Sequence, residues 1–136
     1  MNKLHILLVE DNEGDILLTT ETLEEGHISN KISIARDGLE AINILDSSSI
    51  NNQDLPDLVL LDINLPKVNG FAVLKHIKDS NTLSHLPVIM LTTSASPADK
   101  IMANEFKASN YLIKPAEIID FIKAINKIEI FGTFAY

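Results

Sequence analysis

The chain has 136 residues, a formal net charge of −8 at pH 7 and no cysteine. This length suits one domain with a sizeable core. The negative charge disfavours nucleic acid and anionic membranes as partners, since both would repel it. The lack of cysteine excludes disulfides and thiolate metal sites. We therefore expect one domain over residues 1–136, with no output domain, and a cytoplasmic location, since the first apolar run is too short for a signal peptide or membrane span.

Short apolar runs alternate with amphipathic stretches along the chain. The predicted strands cover residues 4–10, 32–35, 58–62, 88–92 and 111–113. The predicted helices cover residues 15–25, 39–46, 71–79, 97–106 and 117–128, and the polar residues 47–54 predict an extended surface loop. Repeated strand-helix units require right-handed crossovers and a parallel sheet. The sequence therefore predicts a doubly wound, flavodoxin-like α/β fold of five strands in the order 2-1-3-4-5.

Acidic residues follow or end two of the predicted strands. Glu10 and Asp11 come at the end of the first apolar run, and Asp62 comes at the end of the third. The carboxyl ends of neighbouring parallel strands share one crevice, so these acids can meet over one cation. Asp11 could instead cap the next helix. Asp62 precedes a loop and has no helix close by to cap, which favours a site with oxygen ligands.

A hydroxyl and an ammonium belong to the same edge of the predicted sheet. Thr92 ends the fourth strand, and Lys114 directly follows the fifth. Taken singly, a threonine is common in strands and a lysine is usually a solvated surface charge. A transferred phosphoryl group, however, needs a cation and fixed donors around its oxygens. The combination of groups predicts a site that handles phosphoryl groups.

The chain resembles the receiver domains of two-component response regulators over nearly its whole length. The resemblance lies in Glu10-Asp11-Asn12 after the first strand, in Asp62 with Pro66 and Gly70 behind it, and in residues 88–93 and 111–115. Within that family, the polar loop and the local sequence around Thr92 are most like the single-domain regulators associated with bacterial phytochromes.

The resemblance implies a phosphorylation site. Asp62 would take a phosphoryl group from a phosphohistidine on a sensor histidine kinase. Asp11, Asp62 and the main-chain carbonyl of Asn64 would bind Mg²⁺ directly, while Glu10 would act mostly through coordinated water. Lys114 would pair with the phosphoryl oxygens. The protein would then be no enzyme, because it would catalyse only its own phosphotransfer and dephosphorylation.

The resemblance also implies a conformational switch. Thr92 would donate its hydroxyl to the phosphoryl group, and Tyr111 would swing inward as Thr92 moves. This movement would change the surface formed by the fourth helix, fifth strand and fifth helix. Tyr111 could instead be a half-buried strand residue with a hydrated hydroxyl. The bond between Lys114 and Pro115 is expected to be cis.

The last helix and the tail carry more apolar residues than one buried stripe requires. The apolar residues are Ile118, Ile119, Phe121, Ile122, Ile125, Ile128, Ile130, Phe131, Phe134 and Tyr136. One interpretation is a homodimer through the surface of the fourth helix, fifth strand and fifth helix. The other is a tail that folds back over its own domain.

Two other functions stay open at the level of sequence. One is a receiver-like module that binds its partner without phosphorylation. The other is a Mg²⁺-dependent phosphohydrolase with an aspartyl nucleophile, which usually has a general acid two residues beyond that nucleophile. Asn64 occupies this position and cannot serve as an acid.

Overall fold

A computed structural model describes residues 3–51, 53–128 and 131–132, and in these ranges a parallel β-sheet lies between two layers of helices. The strands are β1 Leu4–Val9, β2 Ser29–Ala35, β3 Leu58–Leu61, β4 Val88–Thr92 and β5 Asn110–Ile113. The helices are α1 Glu13–Glu25, α2 Gly38–Asn51, α3 Gly70–Asp79, α4 Pro97–Glu105 and α5 Ile118–Asn126. None of these helices combines the length and the apolar character of a membrane span. The strands pair in parallel in the order β2-β1-β3-β4-β5, which confirms the predicted doubly wound, flavodoxin-like fold.

The central strands β1, β3 and β4 are almost wholly apolar because both of their faces are covered by helices. In β1, Leu7 and Val9 belong to a core with α2, α3 and α4, whereas Ile6 and Leu8 belong to a core with α1 and α5. Successive side chains of a strand point to opposite faces. One uninterrupted apolar run therefore fills both cores and holds the strand ends in fixed positions.

The carboxyl ends of β1 and β3 lie side by side. Val9 is paired with Leu61, so the residues that follow each strand leave the sheet at the same edge. The backbone stays bonded there, since the Glu10 amide donates to the Ala35 carbonyl at 2.9 Å and the Asp62 amide donates to the Val9 carbonyl at 3.1 Å. This register brings the two acidic segments together.

Helix α1 begins two residues earlier than predicted because Asn12 caps it. The Asn12 side chain accepts a hydrogen bond from the Asp15 amide at 2.9 Å. This bond satisfies one of the free amides in the first turn of the helix. The capping role that the sequence left open for Asp11 is thus filled by Asn12, and Asp11 stays exposed.

Helix α2 is longer than the sequence predicts. Residues 47–51, which were expected to lie in a surface loop, continue the helix to Asn51. Serine is only mildly unfavourable in helices, and α2 is joined to α3 by the contact of Asp46 with His76 at 2.8 Å. The loop prediction for residues 47–51 is therefore wrong, because polar residues of this kind can extend a helix that is already formed.

Helix α5 buries much of its apolar surface in its own domain. Phe121, Ile122 and Ile125 are buried, and the half-buried Phe131 packs against the same core. The predicted tail residues that lie outside the described ranges are Ile130, Phe134 and Tyr136. For Phe131, the structure therefore supports the interpretation that the chain folds back.

Gly70, the first residue of α3, allows this helix to begin against the backbone that follows β3. Its amide donates to the Ile63 carbonyl at 2.7 Å, and a Cβ at position 70 would overlap the carbonyl oxygen of Asp62. The obstacle is backbone in a close-packed region, which cannot rotate away as a side chain would. Gly70 therefore sets how closely α3 approaches the end of β3.

We expect Gly70→Ala to lower the free energy of unfolding by about 1–3 kcal/mol, because overpacking against a rigid neighbour costs about that much. The matched control is Gly14→Ala, whose Cβ would meet only the side-chain oxygen of Asn12, at 3.2 Å. Urea denaturation measures the free energy of unfolding of both variants and of the native chain. Gly14→Ala should lose less stability, and a loss in Gly70→Ala that is no larger than the loss in this control would contradict the expectation.

Candidate functional site

Three carboxylates converge at the carboxyl edge of the sheet. Glu10 and Asp11 follow β1, Asp62 follows β3, and each offers an oxygen that lies within 4.8 Å of the other two. Glu10 is only 2% exposed and Asp62 is buried, whereas Asp11 is exposed. The structure thus brings together the acids that the sequence predicts to meet, and it leaves one side of the cluster open to solvent.

Backbone amides orient two of these carboxylates. Glu10 Oε2 accepts hydrogen bonds from the amides of Asp11 and Asn12 at 3.1 and 3.2 Å. Asp62 Oδ1 accepts one from the Ile63 amide at 2.7 Å. Hydrogen bonds to an ionised oxygen are stronger than those between neutral groups. The remaining oxygens, Glu10 Oε1 and Asp62 Oδ2, both face Lys114.

Lys114 brings a positive charge into the cluster from the end of β5. Its Nζ donates to Glu10 at 2.5 Å, to Asp15 at 2.9 Å and to Asp62 at 3.2 Å. The side chain is only 9% exposed. The peptide bond between Lys114 and Pro115 is cis, which confirms the expectation from the sequence. The predicted ammonium therefore lies at the centre of the acidic cluster.

Burial and neighbouring charges shift two pKa values in the cluster. Burial acts to lower the pKa of Lys114, but hydrogen bonds with Asp15 and Glu10 and the charge of Asp62 outweigh it and raise that pKa above its ordinary value. Burial also raises the pKa of Glu10, and the hydrogen bond with Lys114 offsets this effect only in part. Four carboxylates, those of Glu10, Asp11, Asp15 and Asp62, surround a single ammonium. When ionised they carry more negative charge than Lys114 can neutralise, which suits a divalent cation with oxygen ligands.

Thr92 at the end of β4 and Tyr111 in β5 both contact Ser94. The Thr92 side chain is buried at the end of β4, and its Oγ1 accepts a hydrogen bond from the Ser94 amide at 3.3 Å. The half-buried Tyr111 donates its hydroxyl to the Ser94 carbonyl at 2.8 Å. Thr92 and Tyr111, for which the resemblance implies a switch, are thus joined through the loop between β4 and α4.

Asp15 is a residue of the site that the sequence does not reveal. It lies in the first turn of α1, and acids are common there because they interact favourably with the helix dipole. Its contact with Lys114 joins residues 99 positions apart, so it becomes visible only in the fold. Asn64, in contrast, lies exposed in the loop after β3, two residues beyond Asp62, where the sequence places it.

The cluster combines three chemical capacities. The carboxylates of Glu10, Asp11 and Asp62 can hold a divalent cation. Asp62 presents an oxygen beside that site, and Lys114 provides a fixed ammonium 3.2 Å away. Such a set can stabilise negative charge that builds up on a group transferred to the carboxylate.

The chain is similar to known proteins over almost its full length. Residues 6–126 match the family described as the response regulator receiver domain. Response regulator Rcp1 of Synechocystis sp. is 40% identical over 127 residues, which cover 93% of this chain and 86% of that protein. The structure of the bacteriophytochrome response regulator AtBRR superposes with a TM-score of 0.85 at 38% identity and covers 99% of both chains.

Two further solved structures are similar to this chain. The Mn²⁺-bound form of response regulator Rcp1 superposes with a TM-score of 0.76 at 40% identity, covering 94% of this chain and 93% of that one. The phosphorylated cyanobacterial phytochrome response regulator RcpA superposes with a TM-score of 0.77 at 36% identity, covering 96% of this chain and 94% of that one. Both agree with the topology described above.

We expect Mg²⁺ to raise the melting temperature of the protein, because the cation relieves repulsion within the acidic cluster. Each tenfold increase in concentration above the dissociation constant adds about 1.4 kcal/mol of stability. Asp11→Asn should remove most of this shift, whereas Glu13→Gln should keep it, since Glu13 pairs with Arg36 outside the cluster. Thermal unfolding at several Mg²⁺ concentrations measures the shift within each variant. An equal shift in Asp11→Asn and the native chain would place the cation elsewhere.

Proposed function

Since this chain belongs to the response regulator receiver domain family, we propose that it is a single-domain response regulator whose Asp62 accepts a phosphoryl group from a phosphohistidine of a sensor histidine kinase. The observation that carries the proposal is the position of the Asp62 carboxylate. It offers an oxygen within 4.8 Å of oxygens from Glu10 and Asp11, and it lies 3.2 Å from Lys114 Nζ. A phosphoryl group bound there would lie between a cation and an ammonium, as this transfer requires.

The proposed transfer is a displacement at phosphorus. A carboxylate oxygen of Asp62 forms the new P–O bond, the P–N bond of the phosphohistidine breaks, and the imidazole leaves with the electron pair. Because Oδ1 of Asp62 is held by the Ile63 amide at 2.7 Å, we assign Oδ2, the oxygen facing Lys114, as the nucleophile. Lys114 then neutralises charge on the transferred oxygens.

We propose Mg²⁺ as the cation. Asp11, Asp62 and the main-chain carbonyl of Asn64 would hold it, and Glu10 would act through coordinated water, since this ion prefers oxygen ligands and keeps part of its hydration shell. When bound, it neutralises charge on the phosphoryl group. The Mn²⁺-bound form of Rcp1, a protein similar to this chain, supports a divalent cation at the site.

The proposed switch uses Thr92 and Tyr111. Thr92 donates its hydroxyl to the phosphoryl group, and Tyr111 adjusts as Thr92 moves. The Lys114 amide donates to the Thr92 carbonyl at 2.8 Å, and Tyr111 is bonded to the loop at Ser94. A shift of Thr92 would therefore be passed to both β5 and the start of α4, which changes the surface of α4, β5 and α5.

A kinase of the phytochrome type is the proposed phosphoryl donor, because the similar proteins AtBRR and RcpA are described as phytochrome response regulators. We propose a cytoplasmic location for the exchange, as expected from the short first apolar run of the sequence. The chain would catalyse only its own phosphotransfer and dephosphorylation. A phosphohydrolase of small esters is disfavoured, because the exposed amide of Asn64 stands where such an enzyme has its general acid.

We expect one phosphoryl group to be added when the protein is incubated with Mg²⁺ and a small acyl phosphate, and we expect Asp62→Asn to abolish it because the amide is a poor nucleophile. Asp79→Asn is the matched control, since Asp79 is an exposed partner of Lys75 on α3. Intact-mass spectrometry counts the adduct.

Three outcomes decide the proposal. An adduct in the native chain and in Asp79→Asn, but not in Asp62→Asn, supports Asp62 as the phosphoacceptor. Absence of an adduct in the native chain would contradict the proposal and favour a module that acts without phosphorylation. Rapid consumption of the donor with no adduct would instead favour a phosphohydrolase.

A homodimer through the surface of α4, β5 and α5 is a second part of the proposal. Ile101 of α4 is 59% exposed, and Met102 of α4 and Ile113 of β5 are exposed as well. Single exposed apolar residues are normal on protein surfaces, but these three lie on neighbouring elements, since α4 packs beside β5. Grouped apolar residues of this kind are typical of an interface.

We expect the native chain to dimerise at micromolar concentration with Mg²⁺ and a phosphoryl analogue, and we expect Ile101→Ser to shift it to monomer by removing apolar contact area. Ile50→Ser is the control, because Ile50 is 83% exposed but lies on α2. Sedimentation velocity distinguishes the two states. A dimer that persists in Ile101→Ser, or a native chain that stays monomeric, would contradict this interface.

A further inference from the structure

Lys114 has no free donor in this structure. An ammonium carries three N–H groups, and its Nζ contacts three carboxylates: Glu10 at 2.5 Å, Asp15 at 2.9 Å and Asp62 at 3.2 Å. The side chain is only 9% exposed, so there is little space for a fourth partner. When Asp62 Oδ2 forms the bond to phosphorus, Lys114 has to turn toward the new phosphoryl oxygens, while the carboxylates of Glu10 and Asp15 still hold its ammonium.

Asp15 is the carboxylate that can leave at the lowest cost. Its side chain is 38% exposed, whereas the side chains of Glu10 and Asp62 are 3% and 10% exposed. A carboxylate that is already partly hydrated gains back water easily, while a buried one would be left without a partner. In addition, the proposed function already assigns Glu10 and Asp62 to the cation and the phosphoryl group.

The surroundings of Asp15 allow its side chain to turn away while its backbone stays fixed. The Asp15 amide is bonded to the capping side chain of Asn12 at 2.9 Å. Beside Lys114 there is a cavity of about 140 Å³, which is lined by Asp15 and by three threonines. These threonines are Thr19, Thr22 and Thr93. Water and hydroxyl groups there can solvate a carboxylate that leaves Lys114.

We propose that Asp15 is a positioning residue that holds Lys114 in the unphosphorylated protein and competes with the phosphoryl group for its ammonium. The inference rests on the proposed phosphorylation of Asp62. Its consequence is that the Asp15 charge slows phosphorylation by a small donor. An uncharged residue of the same shape competes less well, because a hydrogen bond from an ammonium to a neutral oxygen is weaker than one to a carboxylate.

The test compares phosphorylation rates of four proteins with Mg²⁺ and acetyl phosphate, followed by intact mass over time. Asp15→Asn should react about two- to fivefold faster than the native chain, the range expected for a partly exposed ion pair. Asp15→Glu keeps the charge and should accelerate the reaction less than Asp15→Asn does. Glu21→Gln removes an exposed acid from the same helix and should react at the native rate, which controls for net charge.

A second measurement uses beryllium trifluoride, a nonreactive analogue of the phosphoryl group. With Mg²⁺ present, Asp15→Asn should bind it more tightly than the native chain, by about the same factor as the rate increase. Phosphorylation of Asp15→Asn that is equal to or slower than native, or an equal acceleration by Asp15→Glu or Glu21→Gln, would overturn this inference alone. A native chain that takes up no phosphoryl group would overturn the proposed function instead.

Discussion

Repulsion between carboxylates at one edge of the sheet is the constraint on which the rest of this structure depends. Glu10, Asp15 and Asp62 all contact Lys114, and Asp11 lies beside them. Carboxylates this close cannot all stay ionised in a buried site without a positive partner. The fold supplies this positive partner by placing Lys114, at the end of β5, among the acids. The order of the strands therefore also determines the net charge of the cluster.

The same lysine joins the acidic cluster to the part of the sheet that is proposed to switch. Its ammonium contacts the acids at the ends of β1 and β3, while its backbone amide donates to the Thr92 carbonyl at the end of β4. Thr92 and Tyr111 in turn contact Ser94 in the loop before α4. In the proposed switch, a change in the partners of Lys114 would act on a set of hydrogen bonds that reaches Ser94, in the loop before α4.

Much of the site could be predicted from the sequence because its signals are local. Asp62 ends an apolar run, and its oxygens can be placed once the run is recognised as a strand in a parallel sheet. Lys114 is identified in the same way. The role of Asp15 cannot be predicted in this way, because it depends on a contact with Lys114, which lies 99 positions later in the sequence. The sequence also does not predict the extension of α2 through residues 47–51, because serine and asparagine occur in helices as well as in loops, so local composition does not decide between the two.

Exposure separates the roles of acids that are chemically alike. Glu10 is buried and held by two amides and by Lys114, so it cannot move without leaving an unpaired buried charge. Asp62 is also buried but has one oxygen turned toward the ammonium, which suits a nucleophile in a fixed position. Asp15 contacts the same ammonium from a partly hydrated position and can exchange that contact for water. Because environment rather than residue type sets what a carboxylate can do, one lysine can be shared by a fixed acid, an acid that is proposed to accept a phosphoryl group and an acid that is proposed to give way to that group.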